Sequence, residues 1–392
     1  MNLRIYEHQP DEVDEVLAFR NGIFGTIDRA RWETMNCTAV VAREEERLMG
    51  FIPLQYRTQV LRPGVQIPVV FENAVGVAEG ARGQGIGSQM LDQAAQFMAD
   101  RVDALLVIRG GERSTGYRFY RRTGHGDISY MRHWFADEVS WGEQEDTGCV
   151  RLDRERWLSL EPETLALYEQ CYGAFGGGQV RTPGHWQRIL DGHVYGARPW
   201  HFLTCRAPHG VLSGYLVATY GTWDVSDDLC IYEVVGTDAD VVRRLLTAAR
   251  PLASNGVYRV PYVSMANPVC ETLDEMGFAG SESSPHVMAR LLRPDRIWQR
   301  LADGSDLLQT LALSVSTPHR TVEVNEPPNP RYVVRMETKE SLLSRLFCCR
   351  LDLEAAVQME MVRWNVRDEG LARELFEAFR PAEWVTWMTE YV

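Results

Sequence analysis

The sequence predicts an α/β (α+β) protein, built as two tandem mixed-sheet domains of one plan followed by a smaller α+β domain. Three observations predict it. An apolar strand runs into a glycine-rich turn that opens a helix across residues 75–98. The same order of strands and helices returns between residues 151 and 294, without the chemistry of that turn. Residues 295–392 then change character, with strand-like runs first and an aromatic-rich tail last. The expected domains are therefore 1–150, 151–294 and 295–392, a division that suits a chain of 392 residues.

In the first domain, Asp11–Arg20 reads as an amphipathic helix with acidic residues in its first turn, where the helix dipole favours them. Thr38–Arg43 and Leu48–Val60 read as a hairpin around Glu44-Glu-Glu-Arg47, and Val69–Val77 as the next strand. The turn is Val75-Gly-Val-Ala-Glu-Gly-Ala-Arg-Gly-Gln-Gly-Ile-Gly87. Beyond it, Ile86, Met90, Leu91, Ala94, Ala95 and Met98 recur at helical spacing. Small residues at a helix start let several backbone N–H groups point outward together, an anion cradle to which Arg82 adds a fixed charge. The spacing Arg82-x-x-Gly85-x-Gly87 is neither a P-loop, which needs Gly-Lys-Ser/Thr, nor the dinucleotide Gly-x-Gly-x-x-Gly. A short buried strand, Ala104–Ile108, follows. The polar turn Arg109–Gly116 then leads into helix Tyr117–Arg122 and Gly124-His-Gly126, and Phe135–Gly148 reads as an acidic linker.

The second domain repeats the plan with helix Glu163–Tyr172, strands His201–Arg206, Gly210–Thr219 and Leu229–Val235, helix Asp238–Leu252 and a strand at Val257–Ser264. Its turn, Val235-Gly-Thr-Asp-Ala-Asp-Val241, puts two carboxylates where the first copy has its cradle, and these would repel a pyrophosphate. In the last domain, Leu307–Ser316 and Arg320–Val324 read as strands, and Pro327-Pro-Asn-Pro330 as a loop. Arg331–Glu337 and Arg350–Met361 are strand or helix runs, followed by helix Glu369–Phe379. Trp384, Trp387 and Tyr391 carry too much apolar area for a frayed end, so the tail is expected to dock.

Composition narrows the function classes. A net charge of −13 argues against nucleic acid and anionic membrane as partners and suits cationic substrates. No apolar run is long enough to span a bilayer, and the N-terminus lacks a secretory apolar region, so a cytoplasmic protein is expected. Eight cysteines lack Cys-x-x-Cys spacing, so neither a metal site nor a disulfide framework is expected, and Cys348 and Cys349 read as reduced thiols. Lys339 is the only lysine, which reads as compositional bias or as a scarcity of amine sites for self-modification.

The strand, the turn, the helix, the second strand and then Phe119-Tyr120-x-x-x-Gly124 together resemble the acetyl-CoA-binding core of the GNAT N-acetyltransferases. The whole chain resembles the enhanced-intracellular-survival (Eis) acetyltransferases of bacteria, which join two GNAT-like domains to a sterol-carrier-like domain. The resemblance implies acetyl-CoA as cofactor, a small-molecule amine (aminoglycoside-like, polyamine or peptide) as acceptor, and a homo-oligomer, with hexamers known. It implies that Val75, Gly76 and Val77 hold the pantetheine arm. Arg82, Gly83, Gln84, Gly85, Ile86, Gly87 and Ser88 would hold the phosphates. Tyr120 becomes the general acid and the Val392 carboxylate the base, although the family tail usually ends on an aromatic residue and here Tyr391 is penultimate. Trp32 and Glu390 are carried over as substrate-site residues.

The chemistry sets its own conditions. A tyrosine of pKa ~10 protonates a thiolate of pKa ~8.5 uphill by about 2 kcal/mol, tolerable for a positioned donor. A terminal carboxylate near ~3.5 is a poor base for an ammonium near ~10 unless it is desolvated or water intervenes. Glu72, on the strand beside the expected thioester, is the competing base. His125 follows the motif helix, where a plain loop role is the simpler reading. A second function class, a non-catalytic carrier of an apolar ligand through residues 300–392, has no need of the Arg82–Gly87 turn.

Overall fold

A computed structural model describes residues 3–24, 27–72, 75–108, 115–137, 147–192, 199–221 and 227–391. By contacts the chain forms two compact units, Met1–Ser129 with Pro285–Glu383, and Tyr130–Ser284 with Trp384–Val392.

The first unit opens with β1 (Leu3–Glu7), α1 (Val13–Phe24) and α2 (Arg29–Thr34). Antiparallel β2 (Cys37–Glu44), β3 (Arg47–Arg62) and β4 (Val65–Glu72) follow, with β1 on the outer edge of β2. The short β5 (Gly76–Val77) pairs back on β3. Then α3 (Ile86–Met98) crosses over to β6 (Ala104–Ile108), which runs parallel to β4. After it come α4 (Thr115–Arg122) and β7 (Gly126–Asp137), whose first residues close this segment. Alternation along β2 decides which helix covers which face. Val40 and Ala42 pack with Met90, Leu91 and Ala94 of α3. Ala39 and Val41 pack with Val16 and Leu17 of α1 and Trp32 of α2.

The second unit contains β8 (Cys149–Leu152), α5 (Arg154–Ser159), α6 (Glu161–Tyr172) and α7 (His185–Gly192). The strands β9 (His201–Arg206), β10 (Leu212–Tyr220) and β11 (Leu229–Gly236) are antiparallel. Helix α8 (Ala239–Ala249) then crosses to β12 (Val257–Ser264), parallel to β11, and β7 from Met131 onward lies antiparallel to β12. The β4–α3–β6 crossover of the first unit thus recurs as β11–α8–β12. Helix α9 (Val269–Glu275) and β13 (Ala279–Gly280) follow. The tail joins this unit, with Trp384 and Trp387 buried as their size demands.

The chain then returns to the first unit. Strand β14 (Ser284–Leu291) pairs antiparallel with β6, so residues assigned by sequence to the end of the second domain extend the first sheet. After α10 (Pro294–Leu301), the expected strand from Leu307 is split: α11 (Asp306–Gln309) is one turn of helix, because the Ser305 side chain caps Leu308 N–H, and β15 (Leu311–Ser316) follows. Next come β16 (Thr321–Asn325), β17 (Tyr332–Thr338), α12 (Glu340–Phe347), α13 (Leu353–Gln358), β18 (Val362–Trp364) and α14 (Glu369–Ala378). The four strands form a separate sheet in the order β16-β15-β17-β18.

One expectation is corrected. Cys149 and Cys205 form a disulfide where β8 and β9 are in register. Their separation of 56 residues carried no spacing signal. Cys348 and Cys349 are buried free thiols. Among the described residues no helix is long and apolar enough to cross a membrane, and no cluster of His, Cys, Asp and Glu is placed to hold a metal ion.

Candidate active site

The start of α3 is open. Gly83 and Gly85 both take φ +79°, a left-handed conformation that side chains rarely adopt. Gly85 occupies the N-cap and has no side chain to cap with. Among the described residues, the backbone N–H groups from Gly83 to Ser88 have no hydrogen-bond partner, and the first bond of the helix is Gln89 N–H to the Gly85 carbonyl at 3.1 Å. Arg82, Gly83, Gln84 and Gly85 are exposed, while Ile86 is buried and anchors the turn in the core. Arg82 Nε donates to the Val77 carbonyl at 3.2 Å and Gln84 Nε2 to the Gly80 carbonyl at 3.3 Å, which tie the turn to the end of β5. Unpaired N–H groups, a helix dipole and one guanidinium fit a diphosphate.

Beside this cradle two parallel strands part. Pairing of β4 with β6 ends at Phe71 and Leu106, yet β6 continues to Ile108. The other strand is drawn onto β3, where Gly76 faces Phe51 and Val77 faces Gly50. Only glycine allows this, because a Cβ at residue 76 would sit 2.4 Å from the Phe51 ring. Val75, Gly87 and Phe119 converge there: a Cβ on Gly87 would lie 3.3 Å from Phe119 and 3.8 Å from Val75. A slot that separates two strands near an anion cradle is suited to an extended arm ending in a reactive group.

Glu72 ends β4 where the strands part. Its carboxylate and the His125 ring are both fully buried, with Nε2 of His125 3.3 Å from Oε1. Among the described residues, Oε2 of Glu72 has no hydrogen-bond partner. His125 Nδ1 lies 3.3 Å from Thr123 Oγ1, and Thr123 donates to the Tyr120 carbonyl at 3.0 Å. Tyr120 is buried, with its ring edge-on to Phe119 and to His125, each 5.1 Å away. The structure therefore brings Glu72, Tyr120 and His125 together. Sequence reading favours a plain loop role for His125, whose only signal there is its place directly after the Phe-Tyr-x-x-x-Gly motif.

Other expected residues lie elsewhere. Trp32 is buried in the core under α1 and meets the edge of His8 at 5.9 Å, a packing role. Glu390 belongs to the second unit, where it accepts from Tyr168 Oη at 2.9 Å, Arg181 Nη2 at 3.2 Å and Gln179 N–H at 3.2 Å. Arg181 also grips Glu233 through two bonds of 2.6 and 2.9 Å, and lies over the Tyr168 ring. Val392 and Arg109–Arg113 fall outside the described residues.

An open helix N-terminus, a parted strand pair and a buried carboxylate beside a tyrosine suit the binding of an activated acyl group. Residues 4–125 match the acetyltransferase (GNAT) family model. The fold of the whole chain is similar to solved structures of that class. A probable N-acyltransferase from Enterococcus faecalis V583 is 14% identical, covering 98% of both chains at a TM-score of 0.71. A GCN5-related N-acetyltransferase from Kribbella flavida is 16% identical, covering 98% of this chain and 100% of that one at 0.66. Eis1 from Mycobacterium abscessus is 14% identical, covering 98% and 99% at 0.62. At these identities the likeness is one of fold. No curated protein matches the sequence.

Proposed function

We propose that the protein is an acetyl-CoA-dependent N-acetyltransferase acting on a primary amine of a small cationic molecule, aminoglycoside-like or polyamine, or of a peptide. The observation that carries this is the uncapped α3 turn, with its N–H groups free from Gly83 to Ser88, opening beside the parted strands at Glu72. When bound, acetyl-CoA supplies an activated acetyl thioester. Arg82 and the turn would hold its phosphates, and Val75–Val77 with Phe119 would line the arm. Tyr120 is the proposed proton donor to the leaving sulfur. Two groups stand as base: the Val392 carboxylate, from the resemblance, and Glu72, which the local geometry favours. The net charge of −13 supports a cationic acceptor. A sterol-carrier-like last domain, a cytoplasmic location and a homo-oligomer complete the proposal.

The apolar-carrier reading needs space beside the small sheet. There Trp298 and Phe347 each approach Phe379 to 5.4 Å, and this packing supports the enzyme.

Acetyl-CoA-dependent thiol release with aminoglycosides, polyamines and lysine peptides tests the proposal. Release with one class and tight acetyl-CoA binding is expected. Failure to bind acetyl-CoA would sink it. Tyr120→Phe should lower kcat ~100-fold at unchanged acetyl-CoA affinity. Deleting Val392 should do the same if its carboxylate is the base, and should leave kcat intact if Glu72 is.

A further inference from the structure

The proposed reaction has a proton to dispose of. An ammonium and an acetyl thioester give an amide, a thiol and one free proton. The N–C bond forms, the C–S bond breaks, the sulfur takes one proton and a second must reach water. Tyr120 and Glu72 are each only 1% exposed. A carboxylate that accepts a proton inside the fold must pass it on before the next turnover.

We propose that His125 is the proton exit, taking the proton from Glu72 at Nε2 and giving it up at Nδ1, beside Thr123, toward the water of a basic pocket that the residue borders. This inference rests on the acetyl-transfer reading above. Three observations carry it. The first is the buried contact of 3.3 Å between Nε2 and Glu72 Oε1, with Oε2 left without a hydrogen-bond partner among the described residues. A buried carboxylate oxygen without a partner is costly, and a transient donor accounts for it.

The second observation is Thr123. To take the proton at Nε2, the neutral ring carries its hydrogen on Nδ1 and donates it to Thr123 Oγ1 across 3.3 Å, while the Thr123 hydroxyl donates to the Tyr120 carbonyl at 3.0 Å. Once Nδ1 has given up its proton the hydrogen stays on Nε2, the Thr123 hydroxyl turns to donate to Nδ1, and a tautomer shift or ring flip resets the ring. His125 can therefore hold either state with its hydrogen bonds made, as a relay requires.

The third observation is the pocket. It encloses about 420 Å³ and is lined by Arg121, Arg122, His319 and Lys339, with Glu340 as its acidic member; His125 borders it while its ring stays fully buried, so release takes a transient opening of the ring toward the pocket. The surplus of cations there lowers the local proton concentration, which favours release outward.

Two measurements on the full-length protein test the relay. In the cofactor-free protein labelled with ¹⁵N-histidine, the His125 ring N–H should exchange with solvent faster than a turnover, although the residue is 2% exposed. Protection lasting longer than a turnover overturns the proposal. With acetyl-CoA and spermidine, kanamycin or a lysine peptide, His125→Ala should lose ~100-fold in kcat with KM for acetyl-CoA unchanged, and millimolar imidazole should restore at least about tenfold through the pocket. An unrescued variant, or a His125→Phe protein as active as the parent, overturns the relay alone. A parent protein that binds acetyl-CoA but releases no thiol from any of the three amines overturns the acetyl-transfer reading with it.

Discussion

The starts of α3 and α8 hold the same position in two copies of one crossover, and they solve the helix N-terminus in opposite ways. At α3 the cap is Gly85, and the N–H groups from Gly83 to Ser88 are left for a ligand. At α8 the cap is Asp238, whose carboxylate takes the Val241 N–H at 2.9 Å, with Asp240 beside it in the first turn. One helix keeps its dipole for an anion, and the other neutralises it internally. The second unit spends its buried charge differently, on Arg181, Glu233 and Glu390, which clamp the chain's own tail. A duplicated fold can thus leave one helix start open and use buried charge in the other copy as a structural lock.

The largest effect should come from breaking that lock. Arg181→Met leaves Glu233 and Glu390 buried without their shared cation, and should cost about 3–5 kcal/mol. A denaturant titration measures it, and Glu390→Gln added to Arg181→Met should recover part of the loss. Acetyl-CoA affinity at α3 should hardly move. A stability change under ~1 kcal/mol would mean the carboxylates are solvated and the lock is not one.

Making α3 resemble α8 sharpens the contrast from the other side. Gly85→Asp places a carboxylate in the cradle, where repulsion of a diphosphate at partly exposed sites amounts to about 3 kcal/mol, or ~100-fold in Kd. Calorimetric titration with acetyl-CoA reads it directly. Unchanged affinity would remove the turn from the cofactor site.

Much of this comparison was legible in the sequence. The apolar spacing from Ile86 to Met98, the glycines of the turn and the carboxylates at 238 and 240 stand next to one another in the chain. Local chemistry therefore betrayed them. What was illegible depends on contacts across the fold: Glu72 with His125 over 53 residues, Arg181 with Glu390 over 209, the Cys149–Cys205 bridge and the pairing of β14 with β6. Trp32 shows the converse ambiguity. A large aromatic near a helix start suits a pocket wall or a core equally, and only packing decides.

The lock also predicts a pH dependence. Burial, helped by repulsion from Glu233 and opposed by Arg181, pushes Glu390 up to about 6 from an ordinary 4.5. The folded state then binds the proton more tightly than the unfolded state. This contribution is full below about pH 4.5, is lost as pH rises through 6, and amounts to about 2 kcal/mol. Tyr168 and Tyr215 are pushed well above their usual range by burial, and Arg181 is held charged by Glu233, so none of the three titrates in this window. Glu390→Gln should flatten the stability profile between pH 4.5 and 6. An unaltered profile would place the titration elsewhere.

The smallest expected effect asks whether the second copy could regain a ligand by losing its cap. Asp238→Ala frees the Val241 N–H and should cost about 1 kcal/mol, the usual worth of such a cap. It should not create a second acetyl-CoA site. The Asp240 carboxylate remains in the first turn of α8. Gly236 is pressed so closely on α8 that a Cβ there would lie 2.9 Å from Val242. In contrast, a Cβ on Gly83 would meet nothing within 4 Å, so glycine serves packing in one copy and an exposed left-handed turn in the other. Titration of Asp238→Ala should still give one acetyl-CoA per chain. Two per chain would show that the cap alone, and not the surrounding charge and packing, closed the second site.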